Sequence, residues 1–161
     1  MDSKRILAVA IIGKSNEPLF FTSIGDSNVF GYEYLQLQMI AHSSLDIVEE
    51  KRKKLTSTKQ TMGIDCYLGL LCAIDDYKVF GYYSNTHVKT IVICESLTAD
   101  NQARDFINTV NSLYITHSLN PFQRAGKPIK SKQFSNTIQN TLIRSNSVSP
   151  TLTVTPLKSL Y

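Results

Sequence analysis

The sequence of 161 residues lacks the long apolar segment that a membrane span requires. A spanning helix needs roughly 18 or more consecutive apolar residues, and no run approaches that length. The opening apolar run, residues 6–12, is short for the core of a secretory signal, and no small-residue cleavage pattern follows it. We therefore expect a chain that neither spans a bilayer nor enters the secretory pathway.

Cysteine is scarce and shows no pairing pattern. The three thiols, Cys66, Cys72 and Cys94, are odd in number, form no C-x-x-C motif and lie inside apolar runs. This usage is typical of reduced core cysteines in a cytosolic protein rather than of a disulfide framework.

Motifs that hold a metal or a cofactor are also missing. Metal ligation requires clustered imidazole, thiolate or carboxylate groups, whereas His42, His87 and His117 fall in three different predicted elements. No G-x-G-x-x-G occurs, and the Gly126-Lys127 pair lacks the upstream glycine of a P-loop. We therefore expect no metal and no cofactor.

The sequence contains no evident catalytic constellation. It lacks a G-x-S-x-G nucleophile elbow, and no cysteine stands in a motif with a histidine. Asp75 and Asp76 are adjacent, and adjacent side chains of an extended chain point to opposite sides, so this pair suits a hairpin turn better than a shared proton. The sequence predicts a protein that is not an enzyme, while a hydrolase whose triad forms only in space stays open.

The charge balance is mild. The chain has 17 Lys and Arg against 13 Asp and Glu, and a net charge of +4 does not by itself require a polyanion partner. Glu49 and Glu50 stand four residues before Lys53 and Lys54, the order that favours ion pairs along a helix. We interpret this basic run, and the one at residues 127–132, as solvated helix ends rather than docking patches.

Apolar periodicity predicts the order ββ-α-βββ-α-α in a single domain. Short apolar runs bounded by turn residues predict five strands, and the brief gaps between them require antiparallel hairpins. Several strands are apolar on both faces, so helices must cover both sides of one sheet. The predicted strands comprise residues 5–12, 19–24, 66–74, 77–84 and 89–94.

Three segments have the 3.6-residue period of amphipathic helices. The first ends before Leu55, Pro121 stops the second, and Ser131 caps the third. Residues from 145 onward are rich in Ser, Thr and Pro, so we expect a domain of residues 1–144 and a mobile tail of residues 145–161. The predicted buried stripes are Leu37, Ile40, Ala41, Ser44, Leu45 and Val48 in the first helix, Ala103, Phe106, Ile107, Val110, Leu113, Tyr114 and His117 in the second, and Phe134, Ile138 and Leu142 in the third.

The aromatic stretch "YKVFGYYSN" at residues 77–85 raises an RNA-binding alternative. Lys78, Phe80 and Gly81 agree with the first RNA-recognition-motif signature, but other positions disagree. Alternate positions place aromatic rings on both faces of this strand, which fits a covered sheet better than an open stacking platform. Gly81 is then expected to let a helix approach the strand backbone. An RNA-binding sheet that uses the aromatics of residues 77–83 stays open.

Four motifs stand in register with the predicted element order: "SLDIVEEK" at 44–51, "YLGLL" at 67–71, "DYKVFGYYSNTHVK" at 76–89 and "NPF" at 120–122. Together they resemble the sedlin family, the longin-domain subunits of the transport protein particle (TRAPP) complex. The resemblance implies an α/β (α+β) longin fold, which is SNARE-like and profilin-like. It implies a five-stranded, mainly antiparallel sheet with one helix on one face and two on the other.

The resemblance also implies a function, that of a non-catalytic adaptor subunit in a vesicle-tethering complex. Such a subunit would bind other TRAPP subunits and would be linked indirectly to a Rab GTPase, on which the assembled complex promotes nucleotide exchange mainly through its other subunits. It would act in ER-to-Golgi and Golgi trafficking, in the cytoplasm and peripheral to Golgi and ER–Golgi intermediate membranes. No nucleic acid is implied as a partner.

A protein-interaction role directs attention to the face of the first helix that lies opposite its buried stripe. An exposed Met39, with Ile47 at the boundary, would anchor a partner, and Asp46 would set the register through a charged hydrogen bond. The resemblance also places the third strand at the sheet edge, where a neighbouring subunit would pack. The candidate interaction residues are Met39, His42, Asp46, Ile47 and Glu50, and Glu49 and Lys53 are expected on the same face.

Overall fold

The computed structural model describes residues 5–24, 32–57 and 66–147. The elements follow the predicted order, except that Ser44 divides the first predicted helix in two. Residues 145–147 of the predicted tail are helical, and residues 148–161 lie outside the described part. The strands are β1 (Ile6–Ile12), β2 (Pro18–Ser23), β3 (Tyr67–Ile74), β4 (Tyr77–Tyr83) and β5 (Lys89–Glu95), and the helices are α1 (Tyr32–Ser43), α2 (Leu45–Ser57), α3 (Asp100–Ser118) and α4 (Lys132–Ser147).

The five strands form one sheet of order β2-β1-β5-β4-β3. β1 pairs with both β2 and β5, β4 pairs with both β5 and β3, and every one of these pairings is antiparallel. α1 and α2 cover one face of the sheet, whereas α3 and α4 cover the other. The predicted fold, a five-stranded sheet with helices on both faces, is confirmed.

Each face of the sheet has its own apolar layer. Val9, Ile11 and Val92 pack toward α3 and α4, and the alternate strand positions, such as Ala8 and Ile91, pack toward α1 and α2. Because the central strands are buried on both faces, they read as unbroken apolar runs. The predicted helical stripes are confirmed as buried, with Leu113, Tyr114 and His117 partly buried near the end of α3.

The break at Ser44 leaves the first buried stripe continuous. The N–H of Ser44 donates to the carbonyl oxygen of Ile40 at 3.1 Å, and the N–H of Val48 donates to the carbonyl oxygen of Ser44 at 3.1 Å. Helical hydrogen bonding therefore continues across the break. The Ser44 hydroxyl donates to the carbonyl oxygen of Ala41 at 2.7 Å, a local bond of the kind that bends helices. α2 also runs to Ser57, past the predicted end before Leu55.

β4 carries core side chains on both faces, as its alternation predicts. Val79 and Tyr83 pack under α1 and α2, whereas Phe80 packs toward α3 and α4. Gly81, however, adjoins a side chain of the neighbouring strand: a Cβ on Gly81 would lie 2.8 Å from Cδ1 of Leu71 on β3. The expectation that this glycine admits a helix was wrong, because Leu71 occupies the space beside it.

The last helix begins at the predicted cap. The N–H of Phe134 donates to the hydroxyl of Ser131 at 3.3 Å, which satisfies one of the free N–H groups of the first turn. α3 ends at Ser118, close to Pro121. Among the helices of the described ranges, none is long and apolar enough to cross a membrane.

Candidate protein-interaction surface

The solvent side of α1 and α2 presents a single stripe of exposed residues. We define the α1–α2 outer face by Leu35, Met39, His42, Asp46 and Glu50, all of them exposed. Their spacing of three or four residues continues across the break at Ser44, since helical bonding is maintained there. The structure therefore brings four of the five predicted site residues onto one face.

The fifth predicted residue, Ile47, is partly buried and packs against the core beneath α1 and α2. It supports the outer face from its border. Leu35 was not among the predicted site residues. It lies one turn before Met39, and the two side chains are 55% and 71% exposed respectively. Their i, i+4 spacing would have placed Leu35 on the same helix face as Met39, but the predicted helix began only at Leu37. The outer face thus begins with an apolar pair and continues into polar side chains.

Glu49 does not lie on the outer face as expected. Its carboxylate is 3.4 Å from the ammonium of Lys89, a residue of β5 that is 1% exposed. The same ammonium donates to Oδ1 of Asn16 and, at 3.5 Å, to the carbonyl oxygen of Gly13. Glu49 therefore joins α2 to the end of the sheet, and the predicted pairing of Glu49 with Lys53 is replaced by this contact.

Glu50 does form the predicted surface pair with Lys54, at 2.8 Å, and both side chains are largely exposed. The hydrogen bond and the charge of Lys54 lower the pKa of the Glu50 carboxyl. The Glu50 carboxylate is therefore ionised near neutral pH, and it lies on the same exposed stripe as Asp46.

Two other cations of the basic run hold α2 against the sheet. The Lys51 ammonium donates to the carbonyl oxygen of Leu70 on β3. The Arg52 guanidinium lies 4.0 Å from the centre of the Tyr83 ring, a cation–π contact. The interpretation of this run as a solvated helix end therefore does not fit these two cations, whose charges have a structural role, whereas Lys53 and Lys54 are exposed.

The predicted position of β3 at the sheet edge is confirmed. Leu70 and Ile74 are exposed there, 42% and 36% respectively. The register with β4 shifts twice along β3, and Lys51 occupies the carbonyl oxygen of Leu70. Such bulges and an occupied carbonyl oppose continuous strand addition, so this edge favours docking of apolar side chains.

The aromatic rings of β4 are not arranged for base stacking. Phe80 is buried beneath α3 and α4. Tyr82 is half-buried in the same layer, and its hydroxyl accepts a hydrogen bond from Nδ2 of Asn111 on α3 at 3.3 Å. Phe80 and Tyr82, two aromatics of the RNA-binding alternative, therefore lie under a helical layer instead of on an open sheet face.

Comparison with known proteins gives one family and a consistent set of relatives. Residues 11–144 match the family model described as Sedlin. A protein of Dictyostelium discoideum named "Trafficking protein particle complex subunit 2-like protein" is 38% identical over 142 residues, which covers 85% of this chain and 96% of that protein. The protein of the same name from Xenopus tropicalis is 33% identical over 140 residues, with 85% and 96% coverage.

A more distant relative from Saccharomyces cerevisiae is named "Trafficking protein particle complex subunit 20". It is 27% identical over 161 residues, which covers 81% of this chain and 92% of the yeast protein. The motifs predicted a resemblance to the sedlin family, and to its subunit 2-like branch in particular. Both predictions are confirmed.

Proposed function

Because this chain belongs to the sedlin family, we propose that it is a non-catalytic adaptor subunit of the TRAPP vesicle-tethering complex. The relatives that cover most of its length are named as subunits of the trafficking protein particle complex, which supports a role as a subunit of a trafficking complex. The observation that carries the proposal is the family match over residues 11–144, within which the α1–α2 outer face lies exposed.

The α1–α2 outer face suits a protein partner in its chemistry. Leu35 and Met39 offer an apolar anchor, and methionine adapts its shape to an irregular pocket. Asp46 and Glu50 add carboxylates on the same stripe, so a partner with an apolar pocket beside a cation would be complementary. In this proposal the anchor supplies most of the affinity and Asp46 sets the register.

The exposed edge of β3 forms a second part of the proposed interface. Lys51 links it to α2, so the helix and the strand present one connected surface. A neighbouring TRAPP subunit that packs over Leu70 and Ile74 would cover the apolar side chains that the edge now exposes.

The proposed place of action is the cytoplasmic side of Golgi and ER–Golgi intermediate membranes, during ER-to-Golgi and Golgi trafficking. The link to a Rab GTPase is indirect in this proposal, since nucleotide exchange would be carried by other subunits of the assembled complex. The chain's own contribution is to hold those subunits together.

Affinity purification tests the adaptor role. The full chain, tagged and expressed in its native cells, is captured from cytosol, and the bound proteins are identified by mass spectrometry. Several TRAPP subunits are expected at stoichiometric levels. A capture that contains none of them would overturn the proposal.

The interface is tested by two substitutions on the outer face and one matched control. Asp46→Tyr and Met39→Glu are each expected to reduce subunit capture about tenfold, because they block the register contact and the apolar anchor. The control is Asp105→Tyr, the same change at an exposed position of α3. It should leave capture unaltered.

The melting temperature separates an interface role from a structural one. Asp46 lies in the first turn of α2, where a carboxylate stabilises a helix by about 0.3–1 kcal/mol, so a decrease of a few degrees is expected. A much larger decrease for Asp46→Tyr would assign this residue to the fold instead of the interface.

A further inference from the structure

The two most exposed large apolar side chains of the described residues lie far along the sequence from the α1–α2 outer face. Phe122 is 91% exposed and Leu119 is 77% exposed, in the connection between α3 and α4. Ile115, one turn earlier on α3, is also exposed. We call residues 119–131 the α3–α4 connection; it presents an aromatic ring and an aliphatic side chain directly to solvent.

Hydrogen bonds hold this connection in an ordered turn. The N–H of Phe122 donates to Oδ1 of Asn120 at 3.0 Å, and the N–H of Gln123 donates to the carbonyl oxygen of Asn120 at 3.0 Å. The Gln123 side chain in turn contacts Nε2 of His117 at 3.1 Å. Pro121 restricts the backbone between them. Phe122 is therefore presented outward by a turn already in place, so little ordering entropy would be lost when the ring is buried.

A cluster of cations lies next to this turn. Residues 119–132 contain four cations, Arg124, Lys127, Lys130 and Lys132, and no Asp or Glu. The last acidic residue of the sequence is Asp105, and residues 106–161 contain six cations, four of them those just named. Residues 1–105 contain 11 Lys and Arg against 13 Asp and Glu, so the net positive charge arises from the second part of the sequence, and the connection with the first residue of α4 carries most of its cations.

These cations are exposed and have no carboxylate partner among residues 5–24, 32–57 and 66–147. The nearby Glu17, whose carboxylate lies beside Gly126, instead accepts a hydrogen bond from the N–H of Ser15 at 2.7 Å. The basic run of α2 differs, because three of its four cations contact Leu70, Tyr83 or Glu50. The charges of the connection remain available to an external anion.

The cations surround one continuous region. Arg124 and Lys127 line a cleft of about 110 Å³, and Lys130 and Lys132 line an adjacent one of about 440 Å³. Both clefts contain Leu19 of β2 and Ile129. The N–H of Ile129 donates to the carbonyl oxygen of Leu19 at 2.9 Å, which attaches the connection to the edge of the sheet.

We propose that the α3–α4 connection binds the surface of an anionic phospholipid bilayer. Phe122 and Leu119 enter the boundary between headgroups and acyl chains, where aromatic side chains are favoured. Arg124, Lys127, Lys130 and Lys132 face the negative headgroups. An apolar tip beside cations, without a carboxylate in the segment, complements a negatively charged interface better than the mixed rim of a protein partner. The earlier interpretation of residues 127–132 as merely solvated is replaced by this proposal.

The test measures binding of the full chain to sedimented vesicles. One set contains phosphatidylcholine alone, and the other contains phosphatidylcholine with about 30% phosphatidylserine, a composition that gives the surface a negative potential. Binding to the anionic vesicles is expected, with a marked decrease as salt is raised. Absence of binding to the anionic set would overturn the proposal.

Charge variants distinguish this site from general attraction. The double variant Lys127→Ser with Lys130→Ser is expected to weaken vesicle binding about 25-fold, since each lysine near such a surface contributes roughly a factor of five. The matched control is Lys14→Ser with Lys53→Ser, which removes the same charge from two other exposed positions. An equal loss in both double variants would overturn the assignment to the connection.

Apolar variants test whether the ring enters the membrane. Phe122→Ala is expected to weaken binding to the anionic vesicles about tenfold. Ile143→Ala, an exposed apolar position on α4, should have little effect. The chain contains no tryptophan. Phe122→Trp therefore introduces a single indole, whose emission should shift to shorter wavelength when anionic vesicles are added. An unshifted spectrum on bound protein would contradict insertion.

Subunit capture from cytosol tests the alternative that the α3–α4 connection binds a protein subunit instead of a bilayer. The connection variants should retain TRAPP subunits at the level of the unmodified chain, because the proposed subunit contacts lie on α1, α2 and β3. If these variants lose subunit capture while vesicle binding is unchanged, the connection is a protein interface and the lipid proposal is wrong. Failure of the outer-face variants alone bears on the adaptor role and leaves the lipid proposal intact.

Discussion

The side-chain amide of Asn146 forms two hydrogen bonds with the backbone of Ile6. Its Oδ1 accepts from the N–H of Ile6 at 2.8 Å, and its Nδ2 donates to the carbonyl oxygen of Ile6 at 3.0 Å. The β1–β2 ladder begins at Ala8, and the N–H of Ile24 donates to the carbonyl oxygen of Leu7 at 2.8 Å, so the amide takes the place of a strand at Ile6. The last turn of α4 thereby satisfies the backbone hydrogen-bonding groups of the first residue of β1.

Asn146→Ala is expected to lower the free energy of unfolding by about 1–3 kcal/mol, because it leaves both backbone groups of a buried residue without partners. Urea unfolding measures the change. Asn140→Ala, at an exposed position of the same helix, should stay within about 0.5 kcal/mol of the unmodified chain. A chain that ends at Arg144 should be less stable than one that ends at Ser147; equal stabilities would contradict the role of Asn146.

The contact of Glu49 with Lys89 predicts an asymmetric response to mutation. Glu49→Gln removes the carboxylate beside a buried ammonium, whose other contacts are Asn16, Gly13 and the Tyr83 ring, and we expect a loss of about 1–3 kcal/mol. This is less than for a fully buried pair, since the Glu49 side chain is 40% exposed. Lys89→Met removes the buried charge itself and leaves Glu49 accessible to water, so it should cost less.

Urea unfolding of both variants decides the point. A larger loss for Lys89→Met than for Glu49→Gln would show that the carboxylate does not compensate the buried charge. Glu50→Gln is the surface control, because its pair with Lys54 is solvent-exposed. It should leave the urea midpoint unchanged.

Gly81 and Leu71 are expected to be strongly coupled. In Gly81→Ala the new Cβ would lie 2.8 Å from Cδ1 of Leu71, and the resulting displacement should cost about 1–3 kcal/mol. In a Leu71→Ala background that clash is absent, so Gly81→Ala should lower the free energy of unfolding by at least about 1 kcal/mol less than it does in the unmodified chain. A double-mutant cycle in urea measures the coupling. Additive losses would mean that another neighbour limits the space beside Gly81.

Cys94 should make the fold sensitive to alkaline pH. Burial raises the pKa of its thiol from the ordinary 9.0 to about 12, so the folded chain holds this proton more tightly than the unfolded chain. The stabilisation is complete below pH 9 and is lost as pH rises toward 12. Its slope approaches about 1.4 kcal/mol per pH unit.

Unfolding free energies measured between pH 9 and 10 test this linkage through the difference between a Cys94 variant and the unmodified chain, because burial also raises the pKa values of Tyr67 and Cys72 and their contribution is common to both chains. Cys94→Ala is expected to show a shallower decrease than the unmodified chain, whatever its absolute stability. Parallel curves for Cys94→Ala and the unmodified chain would rule out this thiol as the source.

Local periodicity accounts for what was predictable. The burial of Leu37 and Val48 and the exposure of Met39 and Asp46 follow from the same 3.6-residue period, so both the core stripe and most of the candidate surface were predicted together. The doubly covered sheet follows from strands that are apolar on both faces. These features depend on near neighbours in the chain, which the sequence displays directly.

Contacts between distant elements were not predictable in this way. Glu49 was assigned to solvent by its helical position, but its partner Lys89 lies on β5 and becomes buried only when the sheet forms. Asn146 was assigned to a mobile tail on the composition of its segment. Its hydrogen-bond partner lies 140 residues earlier, so local sequence does not reveal the contact. Leu71 beside Gly81 depends on the strand pairing, which periodicity alone does not specify.

The position of β1 between β2 and β5 has a consequence for synthesis on the ribosome. About 80 residues separate β1 from β5, and at roughly 5–20 residues per second the ribosome needs about 4–16 s to add them. Throughout that interval the nascent hairpin of β1 and β2 exposes an apolar strand with one unsatisfied edge, the kind of species that aggregates unless a chaperone shields it. Pairing of the free edge of β1 must therefore wait for the second half of the chain, and the amide of α4 that binds Ile6 is synthesised after every strand of the sheet.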